Sequence, residues 1–158
     1  MEENFIVNLA NRKIDQISYL YKDIETQARV IETIYNTPKF KFTETIGGTI
    51  EYRGTKTKVS VKWGAVKFFN TQIEYIQWLK GECIYKEFLD QGREGFHHIG
   101  IHVPDIQPYI YYFKKNGIGI LQSERISNLR FVYFDTEKTF GILIRLFDFI
   151  KYGRKKSN

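Results

Sequence analysis

The chain has a single cysteine, Cys83, and lacks any long uninterrupted apolar segment. One cysteine excludes an intramolecular disulfide and a zinc site built from several thiolates, and it fits a reduced, cytoplasmic setting. No apolar run approaches the roughly 20 residues that a helix needs to cross a bilayer, and the N-terminal residues do not form a secretory signal peptide. With 158 residues and ordinary apolar content, the sequence predicts one soluble, cytoplasmic domain without a membrane partner.

The formal charge of +6 comes mainly from two basic stretches. Residues 39–67 carry seven Lys or Arg against two Glu, and the C-terminal tail 150–158 is basic as well. Two interpretations are open: solvated strand faces with a frayed tail, or a patch that attracts an anionic ligand such as a phosphate-bearing acyl carrier. Nucleic acid is the least favoured partner, because only the net charge points to it.

The chain contains an internal repeat. Two segments, 15–24 and 97–106, match at an offset of 82 residues, and the shared positions are Ile17 with Ile99, Asp23 with Asp105, and Ile24 with Ile106. Each segment predicts a strand followed by an aspartate that caps a helix, because a carboxylate accepts hydrogen bonds from the free backbone N–H groups of the first turn. Apolar residues then recur at helical spacing as far as Asn36 in the first copy and Asn116 in the second.

Strands follow each predicted helix. We predict them at residues 40–46, 49–53, 57–69 and 72–78 in the first copy and at 118–122, 129–134 and 141–148 in the second, with turns at 46–49 and 53–55. The last strands match as well, since residues 72–77 align with 143–148 at an offset of 71. The sequence therefore predicts a single domain over 1–158, with one module at about 13–79, a linking helix at about 80–92, a second module at about 93–149 and the basic tail.

Alternate residues of a strand share a face, and this period brings four polar residues together. Gln16 and His98 occupy matching positions on the first strands of the two copies, and Glu74 and Arg145 occupy matching positions on the last strands. If the copies pack as pseudo-symmetric curved sheets, these four side chains converge in one cavity. His102 lies on the same face as His98 but four residues further on, at about 13 Å, which is too far for both to bind one ion.

The order of these elements resembles that of the glyoxalase, or vicinal oxygen chelate, superfamily, in particular its methylmalonyl-CoA epimerase-like and lactoylglutathione lyase-like branch. The resemblance covers about residues 13–149, and the stretches that carry it are 52–54, 72–77, 94–99, 133–136 and 141–145. It implies an α+β fold in which two βαβββ modules form a U-shaped, partly open mixed β-barrel with helices outside. It also implies a cavity in which a divalent metal binds vicinal oxygens of a substrate, and it leaves a homodimer open because family members often pair.

The resemblance implies four metal ligands, and this sequence matches three of them. Gln16, Glu74 and His98 fall on the ligand positions of the first, fourth and fifth strands. The position on the last strand holds Arg145, which is cationic and has no lone pair to donate. We therefore predict that a Glu74–Arg145 pair replaces the metal, because a guanidinium repels a dication and pairs with a carboxylate. A metal held by Gln16, Glu74 and His98 is the less favoured alternative, and no organic cofactor is implied.

Two functions remain open on the sequence alone. As an enzyme, the protein is an epimerase-like or lactoylglutathione lyase-like isomerase or lyase, with Glu74 or His98 as base and Arg145 holding an enolate or a substrate carboxylate. As a non-catalytic, metal-free module, it binds or sequesters a carboxylate or acyl-CoA-type ligand through Arg145, Gln16 and His102. Taken singly, Gln16, His98 and His102 are also explained by ordinary hydrogen bonding in a protein interior.

The neighbours of these residues complete the prediction. His97 precedes His98 on the strand, so a regular period of two points it into the opposite layer. Aromatic side chains supply the expected walls of the cavity, and we predict Trp63, Phe68, Trp78, Tyr133 and Phe147 for this role.

Overall fold

The structure is a computed structural model, and it describes residues 8–151. Its strands are β1 (Gln16–Leu20), β2 (Phe42–Tyr52), β3 (Thr55–Phe68), β4 (Thr71–Lys80), β5 (Gly95–His102), β6 (Ile120–Ile126), β7 (Leu129–Phe134) and β8 (Ile144–Phe149). Its helices are α1 (Ile24–Tyr35), α2 (Ile84–Asp90), α3 (Gln107–Lys115) and the single turn α4 (Glu137–Phe140). Apart from Ile150 and Lys151, the predicted basic tail lies outside the described residues, as do residues 1–7.

The strands form a closed barrel in the order β1-β4-β3-β2-β6-β7-β8-β5. The predicted mixed barrel of two βαβββ modules is confirmed. The junctions between modules differ in length, because β1 pairs with β5 along its whole length, whereas β2 pairs with β6 only between Ile50–Tyr52 and Gln122–Glu124. Within residues 8–151, none of the helices combines the length and the apolar character needed to cross a bilayer.

The two modules repeat each other at the level of single residues. In the parallel ladder β1–β4, Ile17 lies opposite Ile73, and in β5–β8, Ile99 lies opposite Ile144, as offsets of 82 and 71 require. The strand that closes each module also supplies an oxygen to its helix: Ile24 N donates to Gln77 Oε1 at 3.1 Å, and Ile106 N donates to Asp148 Oδ2 at 2.9 Å. Gln77 and Asp148 are themselves 71 residues apart, so the duplication extends to the capping contacts.

The predicted caps differ slightly between the copies. Asp23 is the N-cap of α1 and accepts from Thr26 N at 3.1 Å, which confirms the predicted role. In the second copy the N-cap is Ile106, and Asp105 accepts instead from Gln107 N at 2.9 Å. Pro108 occupies the first turn of α3, where the missing N–H costs nothing.

The predicted turn at residues 46–49 is wrong, because β2 runs through it as one strand. The register between β2 and β3 shifts between Thr45 and Gly48, so this segment is a β-bulge. Gly47 adopts a φ of 64°, and its N–H donates to Ser60 Oγ at 2.9 Å. The turn at 53–55 is confirmed: Arg53 and Gly54 both have positive φ and join Tyr52 to Thr55 as a tight hairpin.

The core has three parts. Two outer clusters hold α1 and α3 against their modules, and the interior cluster fills the barrel. The linking helix belongs to the interior cluster, because Ile84, Tyr85 and Phe88 pack with Leu20, Ile76 and Tyr133. Two of the helices therefore lie outside as predicted, whereas α2 lies against the inward-facing side chains of the barrel.

Candidate functional site

A cavity of about 250 Å³ lies inside the barrel, and its walls are largely apolar. Its lining comes from β2 and β3 (Thr45, Gly48, Thr49, Ile50, Val59, Val61, Trp63), from β4 and α2 (Glu74, Ile76, Tyr85), and from β6 and β8 (Glu124, Arg125, Ile126, Arg145). The β2–β6 ladder ends at the pair Ile50–Glu124, and the next residues, where β2 and β6 no longer pair with each other, also line the cavity. We therefore place the mouth of the cavity at this gap between β2 and β6.

The predicted pair is present at the wall of this cavity. Arg145 Nη2 lies 3.2 Å from Glu74 Oε1, and the two side chains are only 4% and 10% exposed. Ser18 Oγ donates to the same carboxylate oxygen at 3.0 Å. Burial opposes the charge of Arg145, but the interactions with Glu74, Tyr133 and Tyr85 together outweigh it, so the pKa of Arg145 is raised. Both groups are therefore held as an ion pair.

Arg145 also holds two further groups. Its Nη2 donates to Gln16 Oε1 in a short hydrogen bond. Its Nη1 donates to the hydroxyl of Tyr133 at 3.0 Å, and the guanidinium carbon lies 5.0 Å from the centre of the Phe131 ring. The guanidinium is thus fixed by an amide, a carboxylate and a phenol.

Glu124 is a functional candidate that the sequence analysis missed. It lines the same cavity as Glu74, and Tyr133 Oη donates to Glu124 Oε1 at 3.2 Å. Tyr133 Oη also lies 2.6 Å from Tyr85 Oη. Burial raises the pKa of Glu124, Arg145 lowers it and Glu74 raises it further, so the net direction is upward. The alternation of inward and outward residues along β6 could have identified it, because Gln122, Glu124 and Ile126 lie opposite the inward residues of β7. It was missed because the predicted strand ended at residue 122.

His98 is buried as predicted but lies away from the cavity wall. Its Nδ1 is 2.9 Å from Nδ1 of His97, and its ring packs on Tyr133 at 5.0 Å between centroids. The prediction that His97 points into the opposite layer is wrong. A register shift between β1 and β5 leaves Ser18 opposite His98 and Tyr19 opposite Phe96, so His97 is the extra residue of a β-bulge and packs inward against Phe88.

The histidine pair is uncharged at neutral pH. Burial lowers the pKa of His97 to about 3, and the positive charges of Arg93 and Arg145 add to this effect. Burial, Arg145 and His97 together lower the pKa of His98 well below its usual value. Since each ring is neutral, one Nδ1 donates and the other accepts.

The remaining predicted residues lie outside the cavity lining. Gln16 contacts Arg145 without lining the cavity, and its amide nitrogen donates to Gln72 Oε1 at 3.3 Å. The ring of His102 packs against Phe147 and Phe149, at 5.5 and 5.7 Å between centroids. Of the predicted wall residues, Trp63 lines the cavity. Tyr133 belongs to the interior cluster, and Trp78 and Phe147 pack against it. Phe68 packs against the outer cluster of the first module.

Two of the three predicted metal ligands converge, but they converge on Arg145, and the third, His98, is turned toward His97. Gln16 Oε1 and Glu74 Oε1 both accept hydrogen bonds from Arg145 Nη2, and His98 Nδ1 faces His97. A cation at this position would meet a guanidinium that has already taken both oxygens. In the part of the chain that the structure describes, no group of three or more His, Cys, Asp or Glu side chains could hold a metal ion.

Strand β5 approaches Gln16 and Arg145 so closely that position 100 requires a glycine. A Cβ built at Gly100 would lie 2.6 Å from Gln16 Oε1 and 3.1 Å from Gln16 Cβ. Gly100→Ala is therefore expected to push Gln16 away from Arg145 and to lower the free energy of unfolding by about 1–3 kcal/mol. Urea denaturation measures the change, and Gly119→Ala is the control, because nothing lies within 4 Å of a Cβ there. Equal stability of the two variants would contradict the tight packing of Gln16.

Comparison with known proteins gives a consistent result. The family model of the Glyoxalase/Bleomycin resistance protein/Dioxygenase superfamily matches residues 15–134. No curated protein matches the chain.

Several solved structures share the fold. A hypothetical protein from Bacillus halodurans C-125 is 19% identical, with 90% of this chain and 97% of that chain covered and a TM-score of 0.64. Methylmalonyl-CoA epimerase from Mycobacterium tuberculosis is 17% identical, with 87% of each chain covered and a TM-score of 0.60. A variant of Streptomyces coelicolor methylmalonyl-CoA epimerase, in complex with 2-nitronate-propionyl-CoA, is 16% identical, with 89% and 99% covered and a TM-score of 0.63. At these identities the likeness shows the fold, and together with the family match over most of the chain it establishes that this protein belongs to the Glyoxalase/Bleomycin resistance protein/Dioxygenase superfamily, the vicinal oxygen chelate family that its sequence resembles.

Proposed function

We propose that the protein binds a small organic molecule in the barrel cavity without a divalent metal. The observation that carries the proposal is the position of Arg145, which lines the cavity, pairs with Glu74 and donates to Gln16. These contacts take the oxygens that a metal would need. Removing the guanidinium would leave the Glu74 carboxylate buried without a positive charge beside it, which costs several kcal/mol.

The cavity suits an apolar body with a polar end. Ile50, Val61, Trp63 and Ile76 supply apolar wall, and Glu74, Glu124 and Arg145 supply the polar end. A volume of about 250 Å³ accommodates a small molecule or the acyl end of a longer one, whose remainder would leave through the mouth.

The ligand classes implied by the sequence are carboxylates and acyl-CoA thioesters. Lys56 and Arg125 line a groove on the outer side of the β2–β6 gap together with Glu51, and the phosphates of an acyl-CoA would meet these two cations there. Arg130 lines the groove as well but is paired with Asp148. The structurally similar methylmalonyl-CoA epimerases, one of them bound to a CoA ester, support the same class. A cytoplasmic location and pairing of two chains remain predictions.

Titration of chelator-treated protein with propionyl-CoA, methylmalonyl-CoA and propionate, followed by Trp fluorescence and calorimetry, tests the proposal. We expect propionyl-CoA to bind in the presence of EDTA and its binding to be lost in Val61→Trp, which fills the cavity. Lys58→Trp is the matched control, because Lys58 lies on the same strand but is exposed. Circular dichroism confirms that both variants are folded. Binding that needs an added divalent metal, or that survives in a folded Val61→Trp, would contradict the proposal.

A second candidate function is isomerisation of an acyl-CoA by proton transfer, and the pair of carboxylates in one cavity favours it. Glu124, with its raised pKa, is better suited than a carboxylate in an ion pair to take a proton from the carbon next to the thioester carbonyl. Arg145 would donate to the enolate oxygen. Exchange of the α-proton of methylmalonyl-CoA in D2O, followed by NMR, measures this activity. Exchange that disappears in Glu124→Gln supports it, and binding without exchange leaves the non-catalytic function.

A further inference from the structure

The polar end of the cavity, formed by Glu74, Glu124 and Arg145, is not balanced in charge. It contains two carboxylates and one guanidinium, and the guanidinium is paired with Glu74 at 3.2 Å. Arg125 also lines the cavity, but it is exposed and its Nε donates to Ser127 O, so we place it at the mouth. Among the described residues, no lysine or arginine forms an ion pair with Glu124. When Glu124 is ionised, this end of the cavity therefore carries one uncompensated negative charge.

Most of the five N–H groups of Arg145 are already engaged. The two on Nη2 donate to Gln16 and Glu74, and one on Nη1 donates to Tyr133, which leaves the second N–H of Nη1. Its Nε has no partner among the described residues, but this atom is buried from solvent and so is out of reach of a ligand in the cavity. A carboxylate entering the polar end would share the guanidinium with Glu74 and would lie close to Glu124.

Glu124, in contrast, has a carboxylate oxygen that can accept a hydrogen bond from a ligand. Its Oε1 accepts from the neutral hydroxyl of Tyr133 at 3.2 Å, and its Oε2 makes no hydrogen bond with any residue that the structure describes. An ionised carboxylate accepts several hydrogen bonds, and those from charged donors are the strongest. The rings of Trp63 and Tyr85 line the same cavity, and aromatic faces attract cations.

We infer that Glu124 selects ligands that bring a hydrogen-bond donor, and above all a primary ammonium group, to the polar end of the cavity. This inference rests on the proposed binding function and narrows its ligand classes, because a free carboxylate at the inner end would lie close to Glu124. Any anionic part of the same ligand then lies outside the mouth, near Lys56 and Arg125.

Three probes of equal chain length test the inference: n-hexylamine, 1-hexanol and n-hexanoate, titrated into the full-length protein at pH 7.5 and followed by ligand-observed NMR. We expect hexylamine to bind most tightly and hexanoate most weakly. Glu124→Gln keeps the shape and removes the charge, so it should weaken hexylamine about tenfold, the loss of one charge-assisted hydrogen bond, and leave hexanol nearly unchanged. Glu51→Gln, at an exposed carboxylate outside the mouth, is the matched control and should leave all three affinities unchanged.

The outcomes separate the two claims. The role of Glu124 is overturned if hexanoate binds more tightly than hexylamine, or if hexylamine binds equally to the unchanged protein and to Glu124→Gln. The proposed function is still supported in that case, provided that binding is lost in Val61→Trp. Equal losses in Glu124→Gln and Glu51→Gln show an effect of overall charge and overturn the inference as well. Absence of binding for every probe, including propionyl-CoA, overturns both.

Discussion

Arg145→Met is expected to lower the free energy of unfolding by about 3–5 kcal/mol. The substitution keeps much of the side-chain volume but leaves Glu74 buried in the barrel without its cation, and it removes the donors that hold Gln16 and Tyr133. Losing one member of a buried pair is costly because the other charge stays desolvated. Urea denaturation followed by fluorescence and circular dichroism measures the effect.

Two controls separate this effect from a general loss of packing. The double variant Glu74→Leu/Arg145→Met replaces the pair by apolar side chains and should recover most of the lost stability. Arg53→Met breaks a pair with Glu87 in which the side chains are 53% and 34% exposed, so it should cost at most about 1 kcal/mol. An Arg145→Met variant as stable as the unchanged protein would show that the Glu74–Arg145 pair is accessible to water.

Acid should destabilise the fold well above the pH at which carboxylates titrate. The pKa of His97 is about 3 in the folded chain and that of His98 is well below its usual value, whereas both titrate near 6.5 when unfolded. The unfolded chain therefore binds more protons as the pH falls below 6.5, and each histidine costs about 1.4 kcal/mol per pH unit. Because the unfolded histidines are only half protonated at pH 6.5, the pair should cost about 3 kcal/mol between pH 6.5 and 5, as measured by urea denaturation across this range.

Glu124 acts in the opposite direction in the same range. Its pKa is raised in the folded state, so the folded chain gains that proton first and is stabilised as the pH falls. The histidine effect is therefore measured most cleanly in the Glu124→Gln background. His97→Gln and His98→Gln in that background should each make the slope shallower by up to one proton. A slope that neither variant changes would contradict the assignment of neutral, buried histidines.

The scaffold of the site was predictable from the sequence because duplication and strand period are local regularities. The offset of 82 residues matches Gln16 with His98, and the offset of 71 matches Glu74 with Arg145. The ladders β1–β4 and β5–β8 keep that register. The contact between Glu74 and Arg145 followed from the chemistry of the side chains once they shared a face.

The rest depended on features that a regular period does not contain. A β-bulge in β5 turns His97 inward beside His98, and a second bulge carries β2 through the glycines that resemble a turn. Glu124 was missed because β6 extends to Ile126, where pairing with β7 outweighs the polar composition of the segment. The interior position of α2 follows from tertiary packing, since its apolar residues fit either side of a sheet.

We propose that Arg145 takes the place of a divalent metal beside Glu74. Equilibrium dialysis of chelator-free protein against Co²⁺ and Mn²⁺, followed by elemental analysis, tests this directly. We expect no stoichiometric metal in the unchanged protein. One ion per chain that is retained through dialysis and lost in Glu74→Gln would contradict it.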